Sequence, residues 1–405
     1  FLILAFIQYV FSTQIVNIFF PGFSDEQFQL TVQLYRAQAF LSVITVLSGI
    51  LIALHYTFKN LYRTVIIPAI GQLFGIILII FMYKEWGIYS LLFGLILGQI
   101  TNFSLLSLPF IKYYKFSVKL NNELVETIKK IYPLLISGIF SKSNVAFDRF
   151  FASSLGAGSI TLLQYGHSII NIISGLINKG ISIVTLRKFS LIRDEKDKFN
   201  KQFVFTYQSL VFIIIPVSFL IIYFLRDGLQ IIVISNRINL NDIRNIYLVV
   251  CAFIGFFIGG SLSSVIVNTF YSKGLTNLIA KTTIVLQIIG IGIKIGLFML
   301  IGFWGLPIAF SLTSLLNTVV LLLLYNRNIY KINLSEITLY LIRIISISLI
   351  AIIIPLKIHA NFNHSFISAC LNSLFFLIMY FIISMILEKN ISTYIFTKLK
   401  RYLAI

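Results

Sequence analysis

The sequence predicts an all-α polytopic membrane protein of about twelve transmembrane helices, and three observations carry that expectation. Hydrophobic residues make up 58% of the 405 and charged residues only 11%, far below the roughly 25% charged residues of soluble domains. Apolar runs near the ~20 residues needed to cross a bilayer recur along the whole chain. Between them, the Lys and Arg residues that give a net charge of +19 gather in alternate short connections, as in proteins whose basic loops stay in the cytoplasm.

Taken in order, the runs cover 1–20, 35–56, 64–83, 86–110, 132–153, 158–186, 205–226, 244–270, 282–302, 304–325, 336–356 and 365–387. Pro21-Gly22 closes the first and Trp86-Gly87 opens the fourth. With residue 1 near the cytoplasm, the cytoplasmic stretches are 57–63, 111–131, 187–204, 271–281, 326–335 and 388–405. These hold roughly twenty Lys and Arg against roughly six outside, which fixes the orientation. The two largest basic loops, 111–131 and 187–204, mix charge with Leu, Ile and Phe. Each reads equally as an amphipathic helix on the inner leaflet or as a hydrated loop.

Enzyme chemistry finds no home in this pattern. Cys251 and Cys370 fall inside apolar runs without metal-ligand or redox spacing, and His55, His167, His359 and His364 are scattered. No HExxH, GxSxG, Walker or GxGxxG pattern is present, so no catalytic residue, metal or cofactor is expected. The basic charge is a topology signal and implies no nucleic-acid partner.

Internal repetition points to a transporter. Trp86-Gly87-Ile88-Tyr89 and Trp304-Gly305-Leu306-Pro307 each open a helix, and upstream Phe58-Lys59-Asn60 leads to Gln72 as Tyr271-Ser272-Lys273-Gly274 leads to Gln287. An even number of intervening segments makes the two copies parallel repeats about an axis along the membrane normal. The repeat predicts an N-terminal half at 1–110 with four of six helices, a cytoplasmic amphipathic linker at 111–131, and a six-helix half at 132–325. A helix pair at 336–387 and a cytoplasmic tail at 388–405 complete the chain. On this reading two further helices precede residue 1, which is Phe, for an expected total of 14.

Polar residues inside apolar runs mark the candidate site, because ionisable groups in hydrocarbon are costly unless they face a cavity or a partner. In 132–153, Ser137, Ser141, Asn144 and Asp148 share a face, with Lys142 and Arg149 adjoining it. In 158–186, Gln164, His167, Asn171, Ser174 and Asn178 do the same, and in 282–302, Gln287, Gly290 and Lys294. Snorkelling explains Asp148 and Arg149 alternatively, and helix–helix packing explains the amides and serines. Lys142, Arg149 and Lys294, with few compensating acids, predict one water-accessible cavity between the halves that accepts an anion such as phosphate or pyrophosphate. A cation-coupled multidrug exporter would bury more acids, and a membrane scaffold would need no charged midplane.

Several stretches resemble one family. They are Pro21-Gly22-Phe23, the run from Asp148-Arg149-Phe150-Phe151-Ala152-Ser153 through Gly158-Ser159-Ile160, Leu163-Gln164-Tyr165-Gly166, Ser174-Gly175, Phe270-Tyr271-Ser272-Lys273, and the Gly305-Leu306 helix ending at Asn317. In this order the chain resembles the MurJ/MviN lipid II flippases, within the larger group of polysaccharide flippases and multidrug exporters. The resemblance implies fourteen helices in two six-helix halves plus a C-terminal pair, and a bacterial inner-membrane location. It further implies translocation of an undecaprenyl-pyrophosphate-linked precursor, with 336–387 forming the groove for the lipid tail. The implied partners are a lipid-linked anionic glycan and bilayer lipids, with the chain acting as a monomer. Departures from the family pattern are Ser168 where the family has an arginine, Ile173 for a proline and Arg187 for another proline. They leave room for another polyprenyl-linked glycan, with His167, Lys142 or Lys294 replacing the lost charge. Lys142, Asn144, Asp148, Arg149, His167, Ser168, Asn171 and Lys294 are therefore the candidate cavity residues.

Overall fold

The computed structural model describes residues 2–58, 61–113, 138, 145–155, 158–232, 240–361 and 366–388, and every element among them is helical. The chain forms two compact units, one from 1–125 with 149–156 and the other from 126–148 with 157–405.

The first unit begins with α1 (Leu2–Val10) and α2 (Ser12–Phe19), which meet at 71°. The expected run 1–20 is thus a broken element and not one straight span. After Pro21-Gly22 comes α3 (Asp25–Thr57). Its start is built into the sequence: Gln27 N–H donates to Ser24 Oγ, Gln27 Oε1 accepts from Ser24 N–H, and Asp25 and Glu26 meet the positive end of the helix dipole. At its other end His55 is fully buried, with Nε2 3.1 Å from the Leu106 carbonyl oxygen. Helices α4 (Leu61–Trp86) and α5 (Tyr89–Ser107) form a hairpin that turns at Gly87, whose φ is +49°. Glycines bring the two backbones into contact. A Cβ on Gly71 would lie 2.6 Å from the Gly98 carbonyl oxygen, and one on Gly75 would lie 2.6 Å from that of Gly94. A 3-10 turn, Leu108–Tyr113, follows α5.

Helix α6 (145–153) runs from one unit into the other. Most of the expected linker 111–131, together with 132–137, 139–144 and 389–405, lies outside the described residues. The second unit then holds α7 (Ser159–Leu191), α8 (Lys196–Ile232), α9 (Leu240–Ala252), α10 (Ile254–Ser272), α11 (Thr276–Ile301), α12 (Gly305–Asn328), α13 (Leu334–Asn361) and α14 (Phe366–Leu387). The basic stretch 187–204 is neither a surface helix nor an open loop. It is the end of α7, a short turn and the start of α8.

Helix α10 is the buried centre of this unit. Its neighbours α7, α8 and α12 cover small and polar side chains such as Ser261, Ser263, Asn268 and Thr269. Lipid tails are as apolar as Leu, so polar and close-packed contacts must hold such helices together. Asn268 Nδ2 donates to Thr185 Oγ1 at 3.0 Å and Asn178 Nδ2 to Ser261 Oγ at 3.0 Å, both joining α7 to α10. The expected run 244–270 is interrupted at Phe253, between α9 and α10. Ser311 on α12 bridges the interruption, accepting from Phe256 N–H at 3.1 Å and donating to the Ala252 carbonyl at 2.5 Å. A break in a membrane helix is tolerable only when its freed backbone groups are satisfied in this way. Helices α13 and α14 pack on α8, where Tyr380 donates to the Phe212 carbonyl at 2.8 Å.

Nine stretches among the described residues are long and apolar enough to cross a membrane, or ten when α1 and α2 count as one. One of them, Thr276–Asn328, is itself a hairpin of α11 and α12 turning at Gly302, whose φ is +59°. Every expected segment has a described helical counterpart, that of 132–153 being residue 138 and α6 over 145–153.

Candidate functional site

Helices α6, α10, α11 and α12 assemble the site within the second unit. Lys294 on α11 is 1% exposed, a position that hydrocarbon would forbid to a lone ammonium. Its Nζ lies 2.7 Å from Asp148 Oδ1 on α6 and 5.2 Å from the centre of the Phe310 ring. The cation is thus held between a carboxylate and the negative face of an aromatic ring. A cavity of about 260 Å³ opens beside it, lined by Phe256, Gln287, Phe310, Thr313, Asn317 and Lys294 among others. Its walls offer amides, hydroxyls and two aromatic faces, groups that orient a polar ligand by hydrogen bonds.

The sequence places a bare cation at Lys294, whereas the structure compensates it with Asp148, 146 positions earlier in the chain. This end of the cavity carries an ion pair with no net charge. His167 on α7 stands 5.6–5.7 Å, ring to ring, from Phe253, Phe256 and Phe310, and its ring nitrogen lies 3.0 Å from Asn171 Nδ2. Phe310 touches both His167 and Lys294, so the two share a wall although only Lys294 lines the cavity. Ser168 accepts from Gln164 Nε2 at 3.2 Å along α7. Asn178 serves as packing against α10. Arg149 is exposed and belongs to the first unit. Lys142 and Asn144 lie outside the described residues.

Sequence reasoning missed Phe256, Phe310 and Thr313. They gave no polar stripe, and two of them are apolar residues whose role comes from what stands opposite. The spacing of Gln287, Gly290 and Lys294 did point here, since a Cβ on Gly290 would lie 2.6 Å from the Thr313 side chain that walls the same space.

The family model described as "Lipid II flippase MurJ" matches residues 1–387. The chain belongs to the MurJ family. Among curated relatives, the probable lipid II flippase MurJ of Buchnera aphidicola subsp. Schizaphis graminum is 28% identical over 200 residues, 45% of this chain and 37% of that protein. That of Vibrio cholerae serotype O1 is 25% identical over 202 residues, 48% of this chain and 38% of the relative. The matched stretches thus span little more than a third of each relative's length. A solved lipid II flippase MurJ in an inward closed conformation superposes with a TM-score of 0.79 at 21% identity, covering 96% of this chain and 81% of that one. The fold is therefore the MurJ fold, and the chain is a multi-pass protein of the cytoplasmic membrane.

Proposed function

We propose that this chain translocates an undecaprenyl-pyrophosphate-linked cell-wall precursor, lipid II, from the inner to the outer leaflet by alternating access, as a transporter and not an enzyme. The observation that carries the reading is the buried Asp148–Lys294 pair beside a hydrogen-bonding cavity, in a member of a family of lipid II flippases. A sugar-pyrophosphate headgroup cannot cross hydrocarbon unaided. A pyrophosphate reaching Lys294 competes with Asp148 for the ammonium. Such an exchange of anions never leaves the cation bare, which would be the expensive state. Gln287, Asn317 and Thr313 then serve hydroxyl and amide groups of the glycan. His167, Ser168, Asn171, Arg149, Lys142 and Asn144 complete the headgroup path.

In this scheme 1–110 and 132–325 are the two halves that rock about the path and 111–131 is the linker on the inner leaflet. The pair 336–387 receives the lipid tail, and 388–405 is a cytoplasmic tail. The partners are the lipid-linked anionic glycan and bilayer lipid, with no nucleic acid, and the working form is a monomer.

Proteoliposomes containing the chain and lipid II provide the test, with a membrane-impermeant reagent scoring headgroups that reach the opposite leaflet. Lipid II should become reactive with the wild type and not with Lys294→Gln. Transfer of a different polyprenyl-linked glycan in place of lipid II would move the assignment to that substrate. Ion-driven drug export without lipid transfer would overturn it.

A further inference from the structure

Another cation sits on a spanning helix of the first unit with only neutral company among the described residues. Arg36 stands eleven residues into α3 from Asp25, about 16 Å along the axis. Three residues nearer the helix start, Gln33 Oε1 accepts from the Tyr89 hydroxyl at 2.8 Å. Tyr89 and Trp86 flank the α4–α5 turn, as amphipathic aromatic residues do at a membrane interface. Arg36 therefore lies three residues, about 4.5 Å along the helix, inside that belt.

Its side chain reaches across to the elbow between α1 and α2. Nε donates to Ser12 Oγ at 2.8 Å, Nη2 donates to Thr13 Oγ1 at 3.4 Å, and the guanidinium carbon lies 5.8 Å from the centre of the Tyr9 ring. These residues flank Phe11, where the two helices meet at 71°. All three partners are neutral, and among the described residues no Asp or Glu pairs with Arg36. Ser12 and Thr13 use two of the five guanidinium N–H groups. Beside them Thr13, Gln14 and Asn17 present an exposed polar strip on a run that is otherwise apolar. A strut between helices needs hydrogen bonds, and a glutamine would supply them. It does not need a full positive charge at this depth, which is costly unless an anion meets it.

We propose that Arg36 and the α1–α2 elbow form a binding site for a lipid-borne phosphate group. The guanidinium fork matches two phosphate oxygens in a bidentate pair, and the exposed amides of Gln14 and Asn17 frame it, while Ser12 and Thr13 only hold the arginine in place. A phosphate oxyanion reaches this depth on an ordinary anionic headgroup or on a prenyl diphosphate. The site rests on the first unit alone, and the flippase reading decides only which of the two phosphates is the physiological one.

The full chain in nanodiscs of phosphatidylcholine is titrated with farnesyl diphosphate, and separately with phosphatidylglycerol incorporated in the disc, following saturable thermal stabilisation. Arg36→Gln should weaken binding at least tenfold, and Arg36→Lys, which keeps the charge but loses the fork, should fall between. Ser12→Ala with Thr13→Val removes the strut and keeps the cation, and should hold affinity within about twofold. Response to farnesyl diphosphate alone identifies a prenyl diphosphate as the ligand. Response to phosphatidylglycerol alone identifies the bilayer headgroup. Absence of saturable binding to the wild type overturns the proposal. So does unchanged affinity in Arg36→Gln, or a loss in the Ser12/Thr13 variant equal to that of Arg36→Gln. None of these readouts involves translocation, so they stand or fall apart from the flippase assay.

Discussion

Replacing Lys294 by glutamine leaves the Asp148 carboxylate, 15% exposed, facing a neutral amide. At the observed 2.7 Å, the attraction between unit charges is about 6 kcal/mol for an effective dielectric constant near 20. Desolvation of both ions offsets much of it, yet removing only one partner of a buried pair costs about 3–5 kcal/mol. Lys294→Gln and Asp148→Asn should each destabilise the protein on that scale. The double variant puts two amides at hydrogen-bonding distance and should recover to within about 1–2 kcal/mol of the wild type. Unfolding of the purified protein in micelles, followed by helical circular dichroism against denaturant, gives the four corners of the cycle. Lipid II transfer by the same proteins separates stability from function, because the double variant should fold and still not transport. Single effects that sum to the double effect within about 0.5 kcal/mol would mean the two side chains do not interact. A double variant with full transport would show the pair to be structural only.

Gly259→Ala should destabilise by about 1–3 kcal/mol, since the new Cβ would sit 2.6 Å from the Ser314 backbone, which cannot swing away; chemical unfolding measures it. His167→Phe should keep the fold within about 1 kcal/mol because the surrounding ring contacts survive, whereas His167→Ala should lose about 1–3 kcal/mol in the same assay. Lys273 donates to the Arg193 carbonyl and to the Tyr330 hydroxyl at 2.8 Å, and lies 4.8–4.9 Å from the Tyr330 and Phe199 rings. Lys273→Ala should cost about 1–3 kcal/mol and speed tryptic cleavage near Arg193. With Cys251 and Cys370 replaced, a single cysteine at Ser24 should react with an impermeant maleimide from outside and one at Ser190 should not; the reverse result would invert the topology.

Hydropathy made the spans legible because each buries its own backbone and needs only length and apolarity. It could not show the elbow at Phe11 or the interruption at Phe253. Both keep the composition of an uninterrupted span, and the second is repaired by Ser311, a residue on another helix. The polar stripes led to Lys294 and Asp148, but their pairing is a long-range contact that no local period encodes. Arg36 escaped notice for a related reason. It stands at the edge of the expected run 35–56, where a charge reads as the end of a span, whereas α3 in fact begins at Asp25.

The glycine contacts of α4 and α5 make that hairpin a girder. At Gly71, Gly75, Gly94 and Gly98 the two backbones lie against each other, and the Asn102 and Ile79 side chains are wedged against Gly71 and Gly94, so little room is left for one helix to slide along the other. A slip would drive β-carbons into carbonyl groups, so the hairpin can tilt as a whole but cannot shear. Any rearrangement of the first unit is thereby confined to its joints, the Phe11 elbow and the Pro21–Ser24 connection that leads into α3.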